Sequence, residues 1–197
     1  MVAVPMPLVP WNCCGMRLFA AVEPPRDALA HLAAVVDGVR DDVLRWSDRA
    51  GWHLTLAFYG EVGEDRLTEL TERLARAARR HPATQARIAG AGRFGRAVLW
   101  AGVDGDGVAL RALAGSARAA GRRIGVGSEE RQRFRPHVTL ARARGAADLR
   151  PYVERLAPYA GPEWTADTVT LFRSRPGGPG HGPRYEALAR FPLTGRR

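Results

Sequence analysis

The sequence contains no lysine, so all 30 of its basic residues are arginine. Cysteine is almost as scarce: there are two, adjacent at Cys13 and Cys14. Neighbouring cysteines do not easily close an ordinary structural disulfide, and no CxxC or Cys/His zinc spacing occurs. A disulfide-stapled fold and a zinc ribbon are therefore excluded, and a reduced, cytoplasmic protein is expected. No apolar run reaches the ~18–20 residues that a membrane helix needs. Residues 1–15 are broken by three prolines and carry no basic leader, which argues against a signal peptide.

What is present is the composition of an ordinary soluble chain: 197 residues, 46% hydrophobic and 25% charged. Acids number 20, leaving a formal net charge of +10. Together with abundant Ala, Gly and Pro, the all-arginine bias reads partly as the drift of a GC-rich coding sequence. Arginine nevertheless binds phosphate through a bidentate fork that lysine lacks. An anionic partner such as RNA or a nucleotide is expected.

The pattern along the chain alternates strands and helices. Residues 16–22 (MRLFAAV) read as a buried strand, and a helix follows Pro24-Pro25 to about Val39. Residues 43–46 read as a short strand, 53–59 as a strand ended by Gly60, and 64–80 as a helix. In the second half, 84–90 and 97–103 read as strands, 108–121 as a helix, 136–143 as a strand and 148–157 as a short helix. Strands at 164–173 and 184–192 flank the loop PGGPGHGP. Hairpin-like connections favour α+β with antiparallel sheets over a doubly wound parallel sheet. The expected divisions are a tail at 1–15, one unit over 16–192 and a short tail at 193–197.

Two segments match: His53-Leu-Thr-Leu56 and His137-Val-Thr-Leu140, one in each half. Side chains alternate along a strand, so His53 and Thr55 share a face, as do His137 and Thr139. The aliphatic residues between them face a core. Hydrolysis of a cyclic phosphodiester needs a group to deprotonate water and another to protonate the departing oxygen. Histidine titrates near neutrality and can play either part. The threonine hydroxyls can donate to non-bridging phosphate oxygens. The near-symmetric motifs do not distinguish the acid from the base.

With these motifs the sequence resembles the 2H phosphoesterase superfamily, and within it the ThpR/LigT family of RNA 2′,3′-cyclic phosphodiesterases, also called 2′-5′ RNA ligases. The resemblance runs over about residues 16–192. It rests on Met16-Arg-Leu-Phe-Ala-Ala-Val22, Trp52-His-Leu-Thr-Leu-Ala-Phe-Tyr-Gly60 and Val98-Leu-Trp-Ala-Gly-Val103. Arg133-Phe-Arg-Pro-His-Val-Thr-Leu-Ala-Arg142, Leu171-Phe-Arg-Ser174 and Tyr185 complete it. It implies a bilobal pseudo-twofold α+β fold, with two antiparallel sheets lining a cleft and helices outside. It also implies metal-independent, cofactor-free hydrolysis of 2′,3′-cyclic phosphate on RNA ends or nucleotides to a 2′-phosphomonoester, by a monomer. By the same resemblance His53 donates a proton to the leaving 3′ oxygen and His137 activates water. Reversible 2′-5′ ligation would be the same chemistry with a ribose hydroxyl in place of water. The competing expectation is a non-catalytic module of the same fold that grips nucleotides or RNA ends; it would show a lost histidine or threonine, and all four are intact.

Three residues around the second motif are candidate substrate contacts. Arg135 falls on the His137 face, Phe134 on the other, and Arg142 off the parity of His137. Gly90-Ala-Gly-Arg-Phe-Gly95 satisfies GxGxxG but leads into a strand, so a hairpin turn is expected and not a dinucleotide site. Asp104 and Asp106 lack the later glutamate of a calcium loop. His31 and His81 read as surface residues, and His181 could touch substrate only if its loop folds over the cleft. The arginines at 73, 76, 79 and 80 read as a solvated helix face.

Overall fold

The computed structural model describes residues 15–127, 133–178 and 182–195. Cys13, Cys14, His181 and nearly all of the expected N-terminal tail lie outside the described residues.

The first strand, β1 (Met16–Val22), is buried on both faces. Leu18, Ala20 and Val22 enter the main core, while Phe19 and Ala21 join Phe172 in a second, smaller cluster. Helix α1 (Arg26–Asp37) starts after Pro25, whose fixed φ suits a helix entry, and buries Ala28, Leu32, Ala33 and Val36. Strand β2 (Leu44–Trp46) and β3 (Leu54–Val62) follow, separated by a 3₁₀ turn over Arg49–Gly51. Helix α2 (Glu64–Ala78) opens with Glu64 and Asp65, which complement its N-terminal dipole, and buries Leu70 and Leu74.

Strands β4 (Thr84–Phe94) and β5 (Val98–Gly105) form a long hairpin. Gly95 takes φ +53° in its turn, and Gly90 takes φ +63° where the register shifts between Ala89 and Ala91. The GxGxxG run is thus a hairpin, as its left-handed glycines require. Helix α3 (Gly107–Arg122) is capped by the Asp106 carboxylate, which accepts from the amides of Val108 and Ala109 at 3.2 and 2.9 Å. Asp106 therefore serves a helix and no calcium loop. The remaining elements are β6 (His137–Ala143), α4 (Arg150–Leu156), β7 (Ala160–Ala166), β8 (Thr168–Arg175) and β9 (Arg184–Pro192).

One expectation is corrected here. Residues 164–173 were expected to be a single strand, but the chain turns at Asp167. β7 pairs with β4, whereas β8 pairs with β1 in the other half of the molecule. The Asp167 carbonyl accepts from the Leu193 amide at 2.7 Å, and its side chain accepts from the Thr168 hydroxyl at 2.9 Å. A continuous run of strand-forming residues hides such a corner.

The strand order is β7-β4-β5-β6-β3-β1-β8-β9, with β2 on β6, and the strands pair antiparallel throughout. The two expected sheets are the halves of this order, and they meet at one pairing, Leu54 with Val138. Helices cross between the halves. α1 follows β1 yet packs on β4 and β7, and α3 follows β5 yet packs on β3. α2 lies against α3, β8 and β9, and α4 against β4 and β5. Both layers feed one contiguous apolar cluster, and the opposite face of the sheet is left for the cleft.

Candidate active site

The site is set by the seam. Leu54 and Val138 are fully buried Cα partners on antiparallel strands. Antiparallel register then puts His53 opposite Thr139 and Thr55 opposite His137, all on the face away from the core. Neighbouring residues across such a pair lie ~4.5–5.5 Å apart, the scale of a phosphate group. His53 ends the loop before β3, not within it, while His137 is the first residue of β6.

Each imidazole is locked the same way. His53 Nδ1 donates to the Gly51 carbonyl at 2.6 Å, and His137 Nδ1 donates to the Arg135 carbonyl at 2.7 Å. A carbonyl can only accept, so each Nδ1 carries the proton. Each ring also rests on aromatics. Phe19 stacks on His53 with centroids 4.7 Å apart, and Tyr185 meets its edge at 5.1 Å. On the other side Phe94 meets His137 edge-on at 4.8 Å, with Trp100 at 6.1 Å.

The two sites differ electrostatically. The His53 pKa is pushed down to about 4, first by burial on its aromatic shelf. The hydrogen bond to Gly51 opposes this, the charge of His137 lowers it further, and Glu23 raises it. The two rings are therefore close enough to sense each other. His53 is neutral in the free protein at pH 7. The Tyr185 hydroxyl is raised by burial, against the pull of Arg142 and Arg17.

A cleft of about 760 Å³ opens on this face, within the roughly 300–1,000 Å³ of small-molecule sites. His53, Thr55, Thr139 and Arg142 line it, together with Arg17, Arg45, Phe58 and Tyr185. His137, Phe134 and Arg135 are not among its lining residues. Arg135 holds its guanidinium over Trp100 at 5.5 Å, beside His137. Phe134 packs against the main core, with the Arg118 guanidinium 5.1 Å from its ring centroid.

Arg142 reverses its expected place, and the cause is a bulge. Leu99 pairs with Ala141 and Trp100 with Thr139, so Leu140 is the extra residue in β6. Leu140 and Ala141 are consequently both buried, and Arg142 turns to the face of Thr139. The first motif carries the same bulge. Ala20 pairs with Ala57 and Ala21 with Thr55, Leu56 and Ala57 are both buried, and Phe58 turns into the cleft, 51% exposed. Strict alternation read from the sequence puts both residues on the wrong face.

The other singled-out groups have ordinary partners. His31 Nδ1 lies 3.3 Å from the Tyr159 hydroxyl, and His81 Nε2 lies 2.8 Å from the Ser116 hydroxyl. Arg73 and Arg76 pair with Glu69 and Glu72 on their own helix. Among the described residues no cluster of three or more His, Cys, Asp or Glu could hold a metal ion, and no helix is long and apolar enough to cross a membrane.

Two antiparallel half-sheets joined at a seam, with an H-x-T motif on each side of it, make the 2H phosphoesterase fold. The chain belongs to the 2′-5′ RNA ligase superfamily, whose sequence model matches residues 19–178. An RNA 2′,3′-cyclic phosphodiesterase of Thermus thermophilus is 32% identical over 201 residues, covering 91% of this chain and 91% of its own. One of Geobacillus stearothermophilus is 32% identical over 155 residues and 76% of this chain, but this chain spans only 48% of that protein. Among solved structures, E. coli LigT complexed with 3′-AMP superimposes with a TM-score of 0.78 at 26% identity, covering 91% of this chain and 99% of that one.

Proposed function

We propose that this protein hydrolyses the 2′,3′-cyclic phosphate of RNA ends to a 2′-phosphomonoester. The cyclic phosphate sits over the seam, with one His–Thr pair on each flank. Thr55 and Thr139 donate hydrogen bonds to the non-bridging oxygens, which carry the growing negative charge. His137 takes a proton from the attacking water through Nε2. His53 gives a proton, also through Nε2, to the departing 3′ oxygen on the opposite side.

The observation that carries this reading is the matched locking of the two rings. Each Nδ1 is tied to the carbonyl two residues upstream. That leaves the same nitrogen of both rings for proton exchange, and the Leu54–Val138 register sets the rings diagonally across the seam. His53 is neutral in the free protein, so its donor role requires proton uptake with substrate. A phosphate anion beside the ring favours the imidazolium and supplies that uptake. The relatives named as RNA 2′,3′-cyclic phosphodiesterases support the choice of substrate.

The test is incubation with adenosine 2′,3′-cyclic phosphate and resolution of the products. Adenosine 2′-monophosphate is the expected product. Formation of the 3′-monophosphate would reverse the assignment of the leaving oxygen. No turnover of any cyclic phosphate would leave a binding module of the same fold.

A further inference from the structure

Three arginines enter the cleft from different strands: Arg17 from β1, Arg45 from β2 and Arg142 from β6. Arg45 and Arg142 are Cα partners across β2 and β6, so their side chains leave the sheet together. Arg17 comes from the other half of the sheet. Both Arg17 and Arg142 line the cleft together with Tyr185, and both pull the Tyr185 hydroxyl downward electrostatically.

Some arginines elsewhere are paired with acids. Arg49 pairs with Asp37, Arg73 with Glu69, Arg150 with Asp148, Arg175 with Glu186 and Arg190 with Glu23. Among the described residues none of the three cleft arginines makes an ion pair. Among the described residues the sole carboxylate lining the cleft is Asp48, which accepts from the Ala50 amide at 3.0 Å and so caps the 3₁₀ turn. Like charges gathered in a concave site raise each other's energy and draw in anions. The His–Thr quartet already accounts for one phosphate, and the cleft is far larger than a phosphate.

We propose that Arg17, Arg45 and Arg142 form a second phosphate site, which takes the phosphodiester on the 5′ side of the terminal nucleotide. This rests on the function proposed above and narrows its substrate. An RNA end carries such a group; a free nucleoside 2′,3′-cyclic phosphate does not. The site therefore selects polynucleotide ends over mononucleotides. Three forked donors suit the oxygens of a phosphodiester, and two of them are carried on neighbouring strands that hold their spacing fixed. The L-A bulge in β6 is what builds it, because without that extra residue Arg142 would face the core.

The test compares adenosine 2′,5′-bisphosphate with adenosine 2′-monophosphate by calorimetry, a measurement independent of turnover. The bisphosphate should bind at least about tenfold more tightly, with a steeper salt dependence. Arg142→Gln and the pair Arg17→Gln/Arg45→Gln should each cut that gap to about threefold or less. In turnover, the ratio of kcat/KM for ApA 2′,3′-cyclic phosphate over adenosine 2′,3′-cyclic phosphate should fall in parallel. Equal affinities in the wild type, or a gap that survives both variants, overturns the second site. The wild-type comparison needs no variant to fold. A binding gap without any hydrolysis would sink the proposed function and leave the phosphate site standing. Hydrolysis with no gap would do the reverse.

Discussion

Leu54 pairs with Val138, and at that single position the two halves of the sheet are hydrogen-bonded together. Each residue is the middle letter of its own H-x-T motif. One ladder position thus decides the spacing of both histidines and both threonines. Leu54→Ala should cost about 2–5 kcal/mol of stability, as for other fully buried leucines, and should lower kcat in protein that remains folded. Denaturant titration and steady-state kinetics on the same preparation would check both. Normal kcat with reduced stability would mean that the seam does not position the rings.

His53→Ala and His137→Ala should each lower kcat by about a hundredfold or more. Their combination should cost little beyond the worse single change, because groups that act as a unit are not additive. Full turnover in either variant would end the two-histidine mechanism. Turnover should also persist in EDTA, because the proposed proton transfers use only the two imidazoles.

The burial of His53 predicts a pH dependence of stability. Its folded pKa of about 4 lies below the ordinary 6.5, so the unfolded chain binds the proton more readily. Stability from this group is complete above pH 6.5 and is lost as pH falls towards 4, on the order of 3 kcal/mol in all. Denaturant unfolding across this window should show a steeper loss in wild type than in His53→Gln. Parallel curves would show that the ring is not held neutral by burial.

The same ring predicts a split between kinetic parameters. If His53 gains its proton with substrate, the alkaline limb of kcat/KM, which reports the free enzyme, lies at lower pH than that of kcat. Coincident limbs would contradict proton uptake on binding.

Gly92 tests the support under His137. A Cβ there would lie 2.2 Å from the Trp100 ring, which in turn backs His137. Gly92→Ala should push Trp100 towards His137 and lower kcat more than it raises KM. An effect on KM alone would place the disturbance in substrate binding.

The motif residues were legible in the sequence because their pattern is local. Two H-x-T-L segments with aliphatic neighbours marked the catalytic candidates and the faces of Thr55 and Thr139, and the hairpin-like connections pointed to the α+β class. Arg142 and Phe58 were not legible, because a bulge adds one residue to a strand and is defined only by the partner strand. Arg17 and Arg45 reach the cleft through register alone, and no local spacing links positions 17, 45 and 142. The corner at Asp167 escaped for a related reason: Thr165, Thr168 and Val169 all suit a strand, and the strand partners that separate β7 from β8 lie far away in sequence.

The pairing of β1 with β8 also bears on how the protein comes together. Phe19, near the beginning of the chain, is a register partner of Phe172, and the two stack at 5.2 Å beneath His53. A contact between such distant segments carries a loop-closure cost that local pairs do not. During synthesis the floor under the first histidine must wait for the last strands to emerge. A chain stopped short of β8 would keep both histidines but would lack Phe172, the ring that stacks on Phe19.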